Sequence, residues 1–420
     1  MNTNRSATTF RIALVATLAA LTIGCAAAPP GSSSGPGIGS GPGAGSDVAG
    51  VPVGDPVKVQ VAGVAGEIIP DQYIVTIEED ADAEAVAERA DAEVDQVFEE
   101  SIDGFVAVLD QEELAKVRND ADVVAIEQDQ IVVGGGYNTQ TVDAGQQPWG
   151  LDRIDQRSGR NRTYSWWSSG SFGAGAGVTA YVIDSGITAN LAEFGGRARN
   201  VYDAFGGNGS DCHGHGTHVA GTIGGRTYGV AKSVRLVGLK VLGCDNKGSL
   251  SGIIGGLDWV RQYGSRPGVA NISIEAPRSA ALNAATTNLV SSGIFVAVAA
   301  GNSNVDACNI SPASAGGTLT VASSDYTDTK AWNSNWGRCV DIYAPGVDIQ
   351  SNALYGGVGY MSGTSMAAPH VAGVAALLKS NYPTLSPAQI VSNILSAGTN
   401  NVIRGNISGT PNKLLFMSGW

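Results

Sequence analysis

Positive charge is scarce in this chain of 420 residues: 25 lysines and arginines stand against 38 aspartates and glutamates, and the formal net charge is −13. The chain therefore lacks the basic stripe with which proteins bind nucleic-acid phosphates, and we expect no nucleic-acid partner. Long hydrophobic runs are lacking too, since the apolar stretch 12–24 near the N-terminus is too short for a stable membrane span.

Glycine, in contrast, is abundant at 58 residues, and 43% of the chain is hydrophobic. This composition is typical of a globular, loop-rich protein and disfavours a helical bundle. The length exceeds that of one typical domain, so two folded units are expected.

The N-terminus has the pattern of a secretory signal peptide, assigned to residues 1–25, in which Arg5 and Arg11 precede the apolar stretch. Two processing sites remain open. An A-x-A pattern favours ordinary cleavage near Ala28, whereas LTIGC, which ends at Cys25, resembles a lipobox with its leucine one place early. Both imply export, and the second implies a precursor that is lipid-anchored through Cys25.

Acidic residues are concentrated in one segment. Residues 67–133 carry 21 acidic and 3 basic side chains, a net charge of −18, whereas 134–420 carry 15 acidic and 19 basic side chains, a net charge of +4. The two halves either have independently solvated surfaces or dock on each other. The acidic segment has a βαβαβ-like order, which predicts a small α+β domain of the ferredoxin-like kind. A Gly/Ser/Pro-rich linker, 26–66, precedes it.

The large remainder, 148–420, follows a second flexible stretch, 134–147. Five apolar runs in it are typical of buried parallel strands: GVTAYVID, SVRLVGLKVL, VANISI, IFVAVAAG and TLTVASS. Helix-like segments lie between them. This alternation predicts an α/β fold with a doubly wound, mostly parallel sheet, in which functional side chains gather at the carboxyl ends of strands.

Four cysteines follow the signal region, and export would allow them to form disulfides. Three pairings are formally possible, and we favour Cys212 with Cys244 and Cys308 with Cys339 because these pairs close local loops of similar size. Each would contribute roughly 3–4 kcal/mol in the loop-entropy model. Three of the four histidines fall in DCHGHGTH and suggest a zinc site, but a disulfide at Cys212 weakens that interpretation.

Polar motifs lie at the ends of the predicted strands. Asp184 ends VTAYVID, His215 opens the helix-like HGTHVAGTIGG, and Ser365 lies at the start of a long apolar helix. Asn302 follows the strand-like IFVAVAA. A serine nucleophile needs a base, the base needs a carboxylate that holds its tautomer, and an amide can donate to an oxyanion. The motif GTSMA is not the G-x-S-x-G elbow, which argues against the α/β-hydrolase fold.

The motifs YVIDSG, HGTHVAGT, AVAAGNSN and SGTSMAAPHVAG resemble the four signature blocks of the subtilisin-like serine proteases. The similarity covers 148–420 and is closest to the proteinase K branch, and within it to aqualysin; WGLDRIDQR and the ending PNKLLF also carry it. Residues 67–133, with QYIV, GFVAVL and VVAIEQD, resemble the family's inhibitory and chaperoning propeptide.

The resemblance implies a secreted endopeptidase, made as a self-processing zymogen, that acts on protein and peptide substrates and is a monomer when mature. Asp184, His215 and Ser365 would be its catalytic triad, and Asn302 would donate to the oxyanion. Its own propeptide would be an intramolecular inhibitor, removed by cleavage between about Gly136 and Asp143.

The other histidines receive different expectations. His218 matches the family's structural histidine, and His213 stands where relatives place another polar residue. His370 is expected to pack or cap under the helix of the nucleophile.

The family also implies structural calcium. The resemblance makes Asp341 a carboxylate ligand of one site, with backbone carbonyls near Gly316 and Thr318. A second, aqualysin-like site would use the side chains of Asp152, Asp155 and Gln156. The alternative is that these carboxylates lie at the surface without an ion.

One stretch departs from the family. Where relatives have Ser-Leu-Gly-Gly on the strand that pairs with substrate, this chain has Ser273, Ile274, Glu275 and Ala276. Either Glu275 points to solvent, or it makes the pocket for the P1 residue (the residue whose carbonyl is attacked) narrower or more acidic. The second case would favour small or basic P1 residues over bulky aromatic ones.

Two other function classes share these motifs. One is a binding or adhesion protein on an inactivated subtilase scaffold, against which the complete set of four polar residues argues. The other is a peptide ligase or cyclase, which would differ only in how water is kept from the acyl-enzyme.

Overall fold

The computed structural model describes residues 57–60, 68–134, 137–139, 148–166, 168–169 and 172–417. The expected signal peptide with its two processing sites, most of the linker and most of the stretch before residue 148 lie outside these residues. Within them, no helix combines the length and the apolar composition needed to cross a membrane.

The N-terminal domain is a small α+β unit. Its elements in chain order are β1 (Val59–Gln60), β2 (Ile68–Ile77), α1 (Ala83–Ala90), β3 (Val94–Phe98), β4 (Gly104–Val108), α2 (Gln111–Val117) and β5 (Val123–Gly134). Its antiparallel sheet has the order β5-β2-β4-β3. The ferredoxin-like prediction is confirmed.

The structure adds two strands that the sequence did not predict. The strand β3 lies in a stretch rich in acidic residues, but Phe98 at its end is buried and packs in one cluster with Ile74 and Val106. The strand β1 comes from the expected linker and pairs in parallel with β5, with Val59 opposite Ile126. The apolar side chains of Val57 and Val59 pack on the core of the domain, which explains why these residues belong to the domain and not to the linker.

Residues 137–417 contain the remaining elements. In chain order they are β6 (Tyr137–Thr139), α3 (Trp149–Ile154), β7 (Ser168–Ser169), β8 (Phe172–Gly173), β9 (Thr179–Asp184), β10 (Ala198–Asp203), α4 (His215–Gly224), β11 (Arg235–Lys240), β12 (Lys247–Ser249), α5 (Leu250–Tyr263), β13 (Gly268–Ile272), β14 (Ile274–Pro277), α6 (Ala280–Ser291), β15 (Phe295–Ala299), β16 (Ile310–Ser311), β17 (Leu319–Ser324), β18 (Ile342–Pro345), β19 (Ile349–Asn352), β20 (Val358–Ser362), α7 (Thr364–Asn381), α8 (Pro387–Ala397), β21 (Thr399–Asn400) and β22 (Lys413–Leu414). Short 3₁₀ helices lie at Ala192–Phe194, Ala307–Asn309 and Leu354–Gly356.

One sheet organises this large domain. Its strands follow the order β10-β11-β9-β13-β15-β17-β18-β22-β21, and all neighbours are parallel except β21 and β22. The five strands predicted from apolar runs are β9, β11, β13, β15 and β17, which are five consecutive members of this sheet. The predicted α/β class with a mostly parallel sheet is therefore confirmed.

Helices cover both faces of the sheet, because successive side chains along each strand point to opposite faces and both sets are apolar. Val182 and Ile183 of β9 are successive buried residues that face opposite sides. Val182 packs in a core with helices α4, α7 and α8, whereas Ile183 packs in a second core with α5 and α6. Two apolar layers leave the carboxyl ends of the strands as the open edge for polar side chains.

Candidate active site

The four residues predicted to carry the chemistry lie at this edge. Asp184 is the last residue of β9, and Asn302 follows the end of β15. His215 is the first residue of α4, and Ser365 lies in the first turn of α7. The helices α4 and α7 pack against each other, and α7 also packs on β13 and β15, so the fold brings the four side chains into one region.

Asp184 and His215 share a buried hydrogen bond. Nδ1 of His215 lies 2.7 Å from Oδ1 of Asp184, and the two side chains are 1% and 0% exposed. An ionised carboxylate only accepts, so the contact holds the imidazole in the tautomer that is protonated on Nδ1. A Cβ at Gly216 would lie 2.2 Å from O of Gly186 and 3.1 Å from Oδ1 of Asp184, which explains the glycine after His215.

Asp211, to which the sequence assigned no role, organises the start of α4. Its Oδ1 accepts from N of His213 at 3.0 Å and of Gly214 at 2.9 Å, and its Oδ2 accepts from N of Thr217 at 2.9 Å. Its Oδ1 also accepts from Oγ of Ser185 at 2.9 Å. The first N–H groups of a helix lack intrahelical partners, and an aspartate shortly before the helix is the sequence signal for such a cap.

The remaining histidines have other surroundings. Nε2 of His218 donates to a backbone carbonyl of β19 at 2.9 Å, and burial lowers the pKa of His218 to about 3. Nδ1 of His370 donates to O of Met366 at 2.8 Å, and burial lowers the pKa of His370 to about 4. Both rings are therefore neutral near pH 7. His213 is half-buried, and burial followed by the charge of His215 lowers its pKa.

The cysteine next to these histidines belongs to a disulfide. Cys212 is bonded to Cys244, and Cys308 is bonded to Cys339, so the favoured pairing is confirmed. In the part of the chain that the structure describes, no group of three or more His, Cys, Asp or Glu side chains is arranged to hold a metal ion.

Ser365 is held by the segment between β13 and β14. Its Oγ donates to O of Ser273 at 3.1 Å, and Oγ of Ser273 donates to O of Ser365 at 2.9 Å. Asn271 of β13 supports this pair by donating to Oγ of Ser273 at 2.8 Å. The serine also lies at the N-terminus of an 18-residue helix, where the helix dipole favours developing negative charge.

Asn302 has a buried donor without a partner. Its Oδ1 accepts from N of Thr364 at 2.8 Å, which leaves Nδ2 as the free end of the amide. Nδ2 is buried and has no hydrogen-bond partner among the described residues. A buried, unpaired donor is costly, so Nδ2 is available for an oxygen atom that arrives with a ligand.

The stretch 273–276 lies beside the end of the N-terminal domain. The strand β14 pairs antiparallel with β5, with Ile274 opposite Gly134 and Glu275 opposite Val133. On the other side, β12 pairs antiparallel with β5, with Gly248 opposite Val132. The end of β5 is therefore inserted as a strand between two strands of the large domain.

Glu275 is not free in solvent, so the first of the two expectations for it is wrong. Its Oε2 accepts from N of Asn302 at 2.7 Å, and its Oε1 accepts from Oγ of Ser303 at 2.7 Å. The side chain thus reaches from β14 to the loop that follows β15. Ile274 and Ala276, on either side of it, are buried.

The N-terminal domain docks on the helices α5 and α6. The backbone N atoms of Glu100 and Ser101 donate to Oδ1 of Asp258 in α5 at 2.8 and 2.7 Å. Asn288 of α6 donates to O of Ser101 at 2.6 Å. Of the two alternatives left open by the charge distribution, the structure therefore supports docking.

Two carboxylates of β5 bind the starts of the same helices. Oε2 of Glu127 accepts from N of Ala281 at 3.1 Å, and Oδ1 of Asp129 accepts from N of Ser251 at 3.2 Å. Helix N-termini attract negative charge. Burial nevertheless raises the pKa of both carboxyl groups, which are 5% and 0% exposed. The acidic domain is thus held by N–H groups at these points.

Asp341 fits a calcium ligand. Burial raises the pKa of Asp341 to about 6, and its Oδ2 accepts from N of Thr320 at 2.7 Å. The parallel pairing of β17 and β18 places Asp341 beside the strand start that follows Thr318 and Gly316. A desolvated carboxylate is a donor that suits a hard divalent cation.

The second candidate fits in part. Burial, and then the charge of Asp152, raise the pKa of Asp155, and Oδ1 of Asp155 is buried without a hydrogen-bond partner among the described residues. Asp155 therefore suits a cation, whereas Oδ1 of Asp152 already accepts from N of Asn161 and of Arg162, both at 2.9 Å. Gln156 instead donates through Nε2 to Oδ1 of Asp152 at 2.8 Å, and it could serve as a ligand only with its amide rotated.

Comparisons with known proteins agree with this arrangement. The family model described as "Subtilase family" matches residues 175–420, and the model described as "Peptidase inhibitor I9" matches residues 72–133. The chain is 43% identical over 386 residues to the extracellular serine proteinase of Thermus sp. (strain Rt41A), covering 84% of this chain and 90% of that protein.

Two further relatives extend the comparison. The chain is 48% identical over 326 residues to alkaline serine exoprotease A of Vibrio alginolyticus, covering 77% of this chain but 60% of that protein. The crystal structure of a cold adapted subtilisin-like serine proteinase matches with a TM-score of 0.62 and 47% identity, over 66% of this chain and 99% of that one. The chain belongs to the subtilase family: it is a subtilisin-like serine protease with an I9 propeptide in front of its protease domain.

Proposed function

We propose that this protein is a secreted serine endopeptidase that hydrolyses peptide bonds through an acyl-enzyme and is made as a self-processing zymogen. The observation that carries the proposal is the buried contact of Asp184 with Nδ1 of His215, at the same edge of the sheet as Ser365. A carboxylate that holds a histidine in one tautomer, near a serine at a helix start, is the arrangement that activates a serine hydroxyl.

In the proposed reaction His215 removes the proton from Oγ of Ser365 as that oxygen attacks the scissile carbonyl. Asp184 keeps the imidazole oriented and stabilises its cationic form. The protonated ring then gives its proton to the leaving amine, which breaks the peptide bond and leaves the acyl group on Ser365. Water, activated by the same histidine, hydrolyses this ester and restores the serine.

Negative charge on the carbonyl oxygen is stabilised by two donors in this proposal. Nδ2 of Asn302 is buried and unpaired among the described residues, and the backbone N–H of Ser365 lies in the first turn of α7. Donors that are in place before the reaction need no reorganisation when the oxyanion forms.

The propeptide is proposed to inhibit by lying in the cleft as a substrate does. The end of β5 pairs with β14 up to Gly134, and β6 pairs with β20 through Tyr137 and Ser362, three residues before Ser365. The serine therefore lies between the points where the chain leaves β5 and enters β6. We propose self-cleavage between Gly134 and Tyr137, at the N-terminal limit of the stretch expected from the sequence.

Calcium is proposed as a structural ion that compensates buried carboxylate charge, with no part in the reaction. Asp341, with the carbonyls of Gly316 and Thr318, would hold one ion, and Asp152 with Asp155 would hold a second.

We further propose that the mature enzyme is an exported monomer; export is in keeping with relatives whose names include "extracellular" and "exoprotease". Lipidation of Cys25 would anchor the precursor alone, because self-cleavage releases the protease domain.

The experiment that tests the proposal is the intact mass of the exported protein, wild type beside Ser365→Ala, both produced with calcium. We expect the wild type to lose everything before about residue 137, while folded Ser365→Ala keeps its propeptide. If both proteins are folded and remain full length, self-processing is refuted and the inactive-scaffold alternative gains support. An assay for hydrolysis of casein against transfer to an added amine separates a hydrolase from a ligase.

A further inference from the structure

Glu275 lies next to the point where a bound chain presents its scissile bond. Because β5 runs antiparallel to β14 with Gly134 opposite Ile274, the next residue of a bound chain reaches the level of Ser273. The carbonyl oxygen of Ser273 is 3.1 Å from Oγ of Ser365. A bound chain in this register places one residue opposite Ile274. The next residue of that chain is P1, because its carbonyl is the one that Ser365 attacks.

The side chain of P1 starts one bond from that carbonyl. The oxygen of the carbonyl is the group that Nδ2 of Asn302 can bind, and the backbone N of the same Asn302 holds the carboxylate of Glu275 at 2.7 Å. The space beside the P1 carbonyl, between β14 and the loop after β15, is therefore the space that the Glu275 side chain crosses.

The carboxylate has a fixed position there. We call the contact of Glu275 with N of Asn302 and Oγ of Ser303 the Glu275 latch. A Cβ at Gly301 would lie 2.9 Å from Cδ of Glu275, so the carboxyl group packs directly on the backbone of the loop. The latch thus joins both walls of the pocket.

We propose that the Glu275 latch closes the P1 pocket and makes this protease selective for small P1 residues, namely glycine, alanine and serine. The inference rests on the proposed endopeptidase function. A bulky aromatic side chain can enter only if both short, charge-assisted hydrogen bonds of the carboxylate break, whereas a small side chain leaves them intact. The sequence that follows β5 is in keeping with this selectivity, because Gly134 is followed by Gly135 and Gly136.

The negative charge of the latch offers a different basis for selectivity, namely attraction of a lysine or arginine at P1. Size and charge make opposite predictions for the isosteric variant Glu275→Gln. A glutamine fills the same volume; it can still accept from N of Asn302 through Oε1 and can donate to Oγ of Ser303 through Nε2, so it preserves a steric closure but removes an electrostatic attraction.

The test measures kcat/KM of the processed enzyme on p-nitroanilides of Ala-Ala-Gly-X, in which X is alanine, phenylalanine or lysine. We expect the wild type to prefer alanine over phenylalanine and lysine by at least tenfold. Glu275→Gly and Glu275→Ala should raise kcat/KM for phenylalanine at least tenfold relative to alanine. Glu275→Gln should keep the wild-type order, and Ser303→Ala, which removes one donor, should fall between wild type and Glu275→Gly.

Two results of the peptide assay would overturn the proposal. A wild type that prefers phenylalanine overturns the proposal, as does a preference for lysine that Glu275→Gln abolishes. Active-site titration with a serine-reactive phosphonate is run on every variant, so that loss of folded enzyme is not mistaken for loss of selectivity. A folded wild type that reacts with neither the phosphonate nor any peptide refutes the proposed function itself, and the latch proposal with it.

Discussion

Oδ1 of Asn302 accepts from the backbone N of Thr364 at 2.8 Å, and this contact fixes the orientation of the whole side-chain amide. Since Oδ1 of the amide is bound to the start of α7, Nδ2 is left as its free end. Nδ2 is consequently a donor held in place before any substrate arrives.

Asn302→Leu should therefore lower kcat while changing KM little, because the lost hydrogen bond forms with the oxyanion. The expected loss is about 10²–10³ in kcat, which is the loss known for removal of the corresponding donor in subtilisin itself. Steady-state kinetics on one peptide substrate measure it, with Asn302→Asp as a variant that keeps the acceptor for Thr364. An unchanged kcat would remove Asn302 from the mechanism.

Asp258→Ala should weaken the hold of the propeptide. Its Oδ1 accepts two backbone N–H groups of the propeptide, at 2.8 and 2.7 Å, and hydrogen bonds to a charged group contribute about 1.5–3 kcal/mol each. After self-cleavage, activity should appear sooner in this variant than in wild type, measured as the delay between the mass change and the first hydrolysis.

The control for this experiment is Asp258→Asn, which keeps an acceptor oxygen and should shorten the delay less. Asp258 lies on α5, away from the residues proposed to react, so the kcat of fully activated enzyme should not change. A delay equal to that of wild type in Asp258→Ala would show that this contact does not limit release.

Acid should destabilise the protein through two buried histidines. The pKa values of His218 and His370 are lowered from 6.5 to about 3 and about 4, so below pH 6.5 the unfolded chain binds protons that the folded chain does not. Their stabilising contribution is present above pH 6.5 and is lost as the pH falls toward the folded-state values. Each group should contribute a slope of up to about 1.4 kcal/mol per pH unit.

Denaturant unfolding of full-length Ser365→Ala between pH 6 and pH 4.5 measures this slope. Adding His370→Gln removes one group that binds a proton on unfolding. It should therefore lower the slope by up to about 1.4 kcal/mol per pH unit, whatever its effect on stability at pH 7. His213→Gln, at a half-buried ring, should reduce it less. Equal slopes in all three proteins would contradict the burial argument.

Removal of calcium should lower the melting temperature. An ion that binds the folded state at 100 times its Kd stabilises it by about 2.7 kcal/mol, which corresponds to roughly 5–10 °C for a domain of this size. Calorimetry of Ser365→Ala with calcium and with EDTA measures the shift. Asp341→Asn and Asp155→Asn should each reduce it, while Asp245→Asn, at a surface turn, should not. A melting temperature that EDTA leaves unchanged would defeat both calcium assignments.

Much of the fold was predictable because local patterns agree with it. Buried parallel strands read as continuous apolar runs, and β9, β11, β13, β15 and β17 all have this form. The strand β3 was missed because acidic residues interrupt its pattern, and β1 because a glycine-rich neighbourhood suggested a linker. In both cases pairing with a strand distant in sequence decides the conformation, and such pairing is not visible in the local sequence pattern.

The sequence by itself determined the class of the protein and the identity of the four residues proposed to react, because spaced motifs record which chemical groups a fold must place; it favoured the two disulfide pairs, which the structure contains. Only the tertiary structure decided what those groups touch. It assigned Asp211 to the start of α4, and it turned Glu275 away from solvent onto Asn302 and Ser303. Such contacts join segments far apart in the chain, so they depend on packing geometry that no single stretch of sequence contains.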